Sequence, residues 1–126
     1  MAKGLKFDTT KPRTDLVPVS AVKALANVLT LGAAKYGDRN WEAGIEWSRC
    51  YGATLRHLLA WWDGEDCDQE SGLSHLDHAL AEVAFLREFE ETHRELDNRP
   101  NRSRPTSLPL PFGPQTGPLG ETGTGD

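Results

Sequence analysis

The sequence predicts an all-α protein, and three observations predict it. Apolar residues recur at helical spacing over about 21–34, 49–62 and 73–95; serine, aspartate or glycine stands at the ends of these stretches; and no alternating strand pattern competes with them. With 126 residues the chain has room for one domain and a modest core. Its net charge of −5 and the absence of a basic run argue against nucleic acid as a partner. No apolar stretch approaches the ~18 residues of a membrane span, and the first residues carry no export-type apolar region. A cytoplasmic protein is expected, with Cys50 and Cys67, which match no zinc spacing, as free thiols.

Residues 1–18 form a polar arm in which Lys3, Lys6, Lys11 and Arg13 accompany Pro12 and Pro18. The prolines discourage a helix there, and an extended cationic arm suits an anionic ligand, although mobile basic N-termini are common without one. Ser20 is the expected cap of a first helix over about 21–34, in which Val22, Leu25, Ala26, Val28 and Leu29 repeat at helical spacing and Gly32 or Gly37 supplies the stop. The turn-rich segment Lys35-Tyr36-Gly37-Asp38-Arg39-Asn40-Trp41 follows. Such a set can hold phosphate and stack on a base. It can equally be a loop pinned by Trp41 in the core, which is the better reading of the segment alone.

Ser48 is the expected cap of the second helix, about 49–62. Stepping about 100° per residue, Tyr51, Leu55, Leu58 and Trp62 form its main apolar stripe, with Cys50, Thr54, His57 and Trp61 beside it. Asp63-Gly64 ends it. Ser71 or Ser74 caps the third helix, about 73–95. There Leu76, Ala79, Leu80, Val83 and Leu86 make a central apolar arc. His75, His78, Glu82, Phe85 and Phe89 lie on one flank and Asp77, Ala81, Ala84 and Glu88 on the other, so the two histidines and Glu82 are expected to face inward and Asp77 to face water or a partner chain. From Asn98 to Asp126 proline and glycine dominate, the composition of a disordered tail without chemistry, so the domain is expected to span 1–97. Three helices are too thin to bury four tryptophans, so a homo-oligomeric bundle completing the core is the natural outcome.

The chemistry gathers between the second and third helices. Asp63, Glu65, Asp66, Asp68 and Glu70 crowd one short loop, flanked by His57 before it and by His75, His78 and Glu82 after it. Five carboxylates so close repel one another unless a cation sits among them, and carboxylate oxygens with a few imidazoles suit Mg²⁺ or Mn²⁺. Glu65-x-x-Asp68 and His75-x-x-His78 each converge on one side of a helical turn. Each spacing alone is equally that of a solvated acidic turn or of hydrogen-bonded core histidines; the conjunction at one end of one hairpin is more specific. An inward Glu82 costs several kcal/mol unless paired or metal-bound. A carboxylate-held ion beside Lys and Arg is equipment for splitting a phosphoanhydride. No P-loop, Gly-x-Ser-x-Gly elbow or His-Asp doublet is present, only the reversed Asp77-His78.

Four stretches carry a resemblance. Gly4-Leu5-Lys6-Phe7-Asp8-x-x-Lys11-Pro12-Arg13, Gly32-Ala33-x-Lys35-Tyr36-Gly37-x-x-Asn40-Trp41, Leu55-Arg56-His57-Leu58 and Gly64-Glu65-x-x-Asp68-x-Glu70-Ser71-Gly72-Leu73-x-His75-Leu76-x-His78-Ala79 follow in order with compatible gaps. They resemble the phage dATP/dGTP diphosphohydrolase family, MazZ-type enzymes related to the MazG-like all-α nucleotide pyrophosphohydrolases. The resemblance implies a MazG-like helical bundle, completed by dimer or tetramer formation. It implies cleavage of purine deoxynucleoside triphosphates to the monophosphate and pyrophosphate, with two or more Mg²⁺ or Mn²⁺ ions, and a dGMP supply for 2-aminoadenine nucleotide synthesis in a phage, inside the host cytoplasm. MazG-like enzymes usually carry Glu-Glu-x-x-Glu on the helix before Glu-x-x-Asp; here Arg56-His57 stands in that region, so the ligand set must differ. With that departure, Glu65, Asp68 and Glu70 are expected as the carboxylate core and, with His57, as catalytic residues. His75, His78 and Glu82 are expected as further metal ligands or orienting groups. Lys6, Lys11, Arg13, Lys35 and Arg39 are expected on phosphate, with Arg56 also on the substrate and Tyr36, Asn40 and Trp41 on base or sugar. The rival readings are an HD-like nucleotide phosphohydrolase and a non-catalytic nucleotide-binding helical oligomer.

Overall fold

The computed structural model describes residues 3–101. Three helices and no strand make up the described residues: α1 (Val19–Tyr36), α2 (Trp47–Trp62) and α3 (His75–Thr92), with 3₁₀ turns at Thr14–Leu16, Asn40–Ala43 and Arg94–Leu96. The expected tail lies outside the described residues from position 102 onward. Residues 3–16 belong to a unit of their own, separate from the helical body that starts at Val17. Within the arm, Arg13 grips Asp15 through two hydrogen bonds of 2.8 Å.

The helix starts differ from the sequence reading. Pro18, not Ser20, precedes α1, because its fixed φ of −66° and missing N–H suit the entry to a helix. Glu46 precedes α2, and Ser48 lies inside the first turn. There Asn98 caps the helix from 50 residues away: its Oδ1 accepts from the Ser48 N–H at 2.9 Å and its Nδ2 donates to the Ser48 hydroxyl at 2.8 Å. The contacts of the body therefore run on to Asn98. Ser74 caps α3, its hydroxyl accepting from the Leu76 N–H at 3.1 Å. Gly37 stops α1 with φ +96°, a conformation a side chain resists.

Helix α3 packs against both α1 and α2. The core between them is Trp47, Cys50, Ala81, Phe85 and Phe89, with Leu25, Val28, Leu29, Trp41, Ile45, Leu86 and Leu96 against it. Phe89 is fully buried, and burial of such a ring contributes about 1.5–3 kcal/mol. Trp41 stacks on Phe85 with centroids 4.7 Å apart, and the guanidinium of Arg99 lies 5.0 Å from the centroid of Trp47. Gly44 lets the Trp41–Ile45 loop descend onto this core: its φ is +103°, and a Cβ there would stand 2.6 Å from Leu96 Cδ1.

Two facings are corrected. On α2 the inward stripe is Trp47, Cys50, Thr54 and His57, whereas Tyr51 is 60% and Trp62 81% exposed. On α3 Ala81, on the polar-or-small flank, is fully buried, and Val83 of the expected central arc is 50% exposed. On α3 it is the small Ala79 and Ala81 with Phe85 and Phe89 that are buried, whereas Leu76, Leu80 and Val83 stay exposed.

Candidate functional site

The loop between α2 and α3 is shaped by its own backbone. Gly64, at φ +105°, ends α2 and lets the Glu65 N–H reach back to the Ala60 carbonyl at 3.0 Å. The chain then turns on itself: Cys67 and Ser74 form an antiparallel bridge, Asp68 N–H donates to the Leu73 carbonyl at 2.8 Å, and His75 N–H donates to the Asp66 carbonyl at 3.0 Å. Asp68 tightens the turn by accepting from the Ser71 N–H at 3.1 Å. The consequence is that Glu65 meets His75 at the start of α3 and Asp68 comes close to His57 on α2.

Three histidines meet there. His57 Nδ1 lies 2.9 Å from His75 Nδ1, and the rings of His57 and His78 stack with centroids 4.6 Å apart. His75 is buried, and its Nε2 sits 2.6 Å from Glu65 Oε1. His78 Nε2 is 2.6 Å from the Ser71 hydroxyl and 3.8 Å from Asp68 Oδ2. One donor atom each from His57, Asp68 and His75 falls within a 4.8 Å span, a group able to hold a metal ion. Burial, then the neighbouring His78 and His75, push the His57 pKa down, favouring the neutral ring a metal ligand needs. Burial pushes Asp68 up, but the Ser71 N–H and hydroxyl and the charges of His78 and His57 outweigh it and hold the carboxyl below its ordinary value.

The other expected residues lie around this knot. Glu70 is exposed and pairs with Lys35 Nζ at 3.3 Å, apart from the three-residue group. Glu82 lies one turn along α3, half-buried, where burial raises its pKa against the opposing effects of Cys50 and Arg56. The Cys50 thiol opposite is pushed up to about 12, by burial first and by Glu82 second. Arg39 is exposed, its Nη1 2.7 Å from Glu42 Oε2. Lys6, Lys11 and Arg13 belong to the separate arm.

A cavity of about 750 Å³ joins the two halves of the sequence reading. Lys35, Tyr36, Arg39, Asn40 and Trp41 line it together with Asp68, Glu70, His78 and Glu82. Its size lies within the range of pockets that take a nucleotide-sized ligand, about 300–1,000 Å³. Arg49 and Ser71 also line it and were missed. Arg49 stands on the helix whose charged residues the sequence does not sort by side. In the sequence Ser71 is a candidate cap and part of the stretch that carries the family resemblance; its contact with His78 appears only in the fold.

Residues 1–99 match the family described as dATP/dGTP diphosphohydrolase, N-terminal. The chain belongs to this family. A curated relative, the dATP/dGTP diphosphohydrolase of Salmonella phage PMBT28, is 36% identical over 83 residues, which are 66% of this chain and 28% of the relative. The chain thus spans less than a third of the length of the family member it matches. No solved structure matches it. Among the described residues no helix is long and apolar enough to cross a membrane.

Proposed function

We propose that the chain hydrolyses the purine deoxynucleoside triphosphates dGTP and dATP to the monophosphate and pyrophosphate. The observation that carries this reading is the cavity, which the Lys35–Trp41 segment and Arg49 line together with Asp68, Glu70, His78 and Glu82. Family membership supports the same substrate class. Lys35, Arg39 and Arg49 hold the phosphates, and Lys35 exchanges its exposed Glu70 partner for a phosphate oxygen. Tyr36 and Asn40 meet base or sugar, while Trp41, stacked on Phe85, braces the wall. Lys6, Lys11 and Arg13 give the arm a positive charge suited to an anion, and Arg56 adds positive charge near Glu82 and His57.

Three ligands around a cation with ~2.1 Å bonds have donor atoms ~3–4 Å apart, close to what His57, Asp68 and His75 offer, so the residues fit a divalent ion. Such an ion, when bound, screens the phosphate charge and acidifies a water. Of the catalytic candidates, His57 and Asp68 face one point, Glu65 acts through His75, and Glu70 serves the phosphate side. The dGMP produced feeds 2-aminoadenine nucleotide synthesis in a phage-infected cytoplasm. The exposed Tyr51, Leu55, Leu58, Leu80 and Val83 support assembly as a homodimer or tetramer.

The test is incubation of the purified protein with dGTP and dATP in Mn²⁺ or Mg²⁺, followed by ion-exchange chromatography. Equal yields of monophosphate and pyrophosphate are expected. Release of triphosphate or of single phosphate would instead support the HD-like enzyme. Nucleotide binding with no turnover would support the non-catalytic oligomer.

A further inference from the structure

We infer that His57, His75 and Asp68 form a binding site for a first-row transition cation, from the Mn²⁺-to-Zn²⁺ class, that discriminates against Mg²⁺, with Glu65 positioning His75 rather than binding the ion. This rests on the reading that the α2–α3 junction holds a divalent cation, and not on the nucleotide chemistry. The observation is the arrangement of ring nitrogens. Glu65 Oε1 lies 2.6 Å from His75 Nε2, and a carboxylate can only accept, so that nitrogen carries the hydrogen. In the neutral ring the lone pair is therefore on Nδ1, which points at His57 Nδ1 2.9 Å away. A carboxylate behind an imidazole, fixing its tautomer and raising its basicity, is the usual support of a metal-bound histidine.

Two imidazoles flanking a single carboxylate also define which ion fits. Mg²⁺ prefers an oxygen shell in near-ideal octahedral geometry and gives up water reluctantly. Imidazole nitrogen suits the softer first-row cations. Asp68 is the one carboxylate in the group, and its orientation is set by the Ser71 N–H at 3.1 Å. In the protein without nucleotide the remaining acids do not convert this into an oxygen cage: Glu70 pairs with Lys35, and Glu82 interacts with Cys50 and Arg56. On binding, the ion takes the place of the hydrogen between the two Nδ1 atoms. That proton moves to His57 Nε2, and both rings stay neutral.

The experiment uses the full chain, stripped of metal with chelator, titrated with Co²⁺ and read by visible absorbance, with Zn²⁺ and Mg²⁺ as competitors. One saturable Co²⁺ spectrum is expected, displaced by stoichiometric Zn²⁺ and unchanged by a hundredfold excess of Mg²⁺. Displacement by Mg²⁺ at concentrations comparable to Co²⁺ would overturn the inference, and this arm needs no variant. His57→Gln and His75→Gln, checked for helicity by circular dichroism, should lose the spectrum; a spectrum retained in both would overturn it. Glu65→Gln should keep the spectrum while weakening Co²⁺ binding about 10- to 100-fold, and an altered spectrum would make Glu65 a ligand. A tight Co²⁺ site in a protein that releases no pyrophosphate from dGTP would leave this inference standing and remove the hydrolytic one. Pyrophosphate release driven by Mg²⁺ alone, with no Co²⁺ site, would do the reverse.

Discussion

The two ends of the α2–α3 hairpin are held by opposite means. At the closed end, where α2 ends and α3 begins, the groups facing each other are His57, His75, His78, Glu65 and Asp68, tied by contacts of 2.6–2.9 Å among the histidines, Ser71 and Glu65. At the far end Trp47 and Phe89 are buried with Trp41, Phe85 and Leu96 around them. An apolar end is stabilised by every contact it makes. A titratable end gains only what its hydrogen bonds return after desolvation, so it is a poor way to stabilise a hairpin and a good way to keep ligand atoms in place. The contrast separates stability from chemistry along one pair of helices, and substitutions at the two ends should separate them as well.

The largest effect is expected at the polar end, in activity. Asp68→Asn keeps the size of the side chain and its bond from Ser71, and should cut hydrolysis about 10²- to 10⁴-fold while the melting temperature moves little. Steady-state rates beside a thermal melt check this; a full-rate variant would place the chemistry elsewhere. At the apolar end Phe89→Ala should cost about 3–5 kcal/mol of stability, read by urea unfolding. Per-molecule activity of the fraction still folded should be near normal, and a selective loss of rate at full stability would blur the two ends into one.

A smaller effect tests how the far end is closed. Asn98→Ala removes both bonds to Ser48 and should lower stability by about 1 kcal/mol, the usual worth of a helix cap. Because those bonds lie away from the histidines, metal affinity should be unchanged. The smallest effect is chemical. Cys50 is buried with its thiol pushed up to about 12, whereas Cys67 is exposed. At pH 8 a disulfide reagent should titrate one thiol per chain in the native protein and the second only in denaturant. Two reactive thiols under native conditions would show that the contact between α2 and α3 opens readily.

Periodicity made the helices legible, and residue chemistry made the acidic hairpin legible. What periodicity does not contain is which of two adjacent apolar arcs meets a neighbour. Tyr51, Leu55, Leu58 and Trp62 are the more hydrophobic arc of α2, yet the less apolar one, with Trp47, Cys50 and Thr54, is buried. The same limit hid Ala81, a small residue on the polar side of the α3 pattern that is fully buried in the core. Arg49 escaped notice because a charged residue in a helix carries no mark of the cavity beside it. Serines misled at two starts, since Ser20 and Ser48 are good caps in isolation while Pro18 and the distant Asn98 occupy those roles here.

On its own, the order of residues determined three helices, an acidic turn between the second and third, and a set of histidines and carboxylates gathered at one junction. These follow from local rules, helical spacing and turn chemistry, that act over a few residues. Only the tertiary structure decided that His57 and His75 share one point with Asp68, that Glu65 stands behind His75, and that Lys35–Trp41 lines one cavity with Asp68 and His78. Those relations depend on how α3 packs on its two neighbours, and packing is set by side-chain shape across the helix contacts, which no single helical pattern contains.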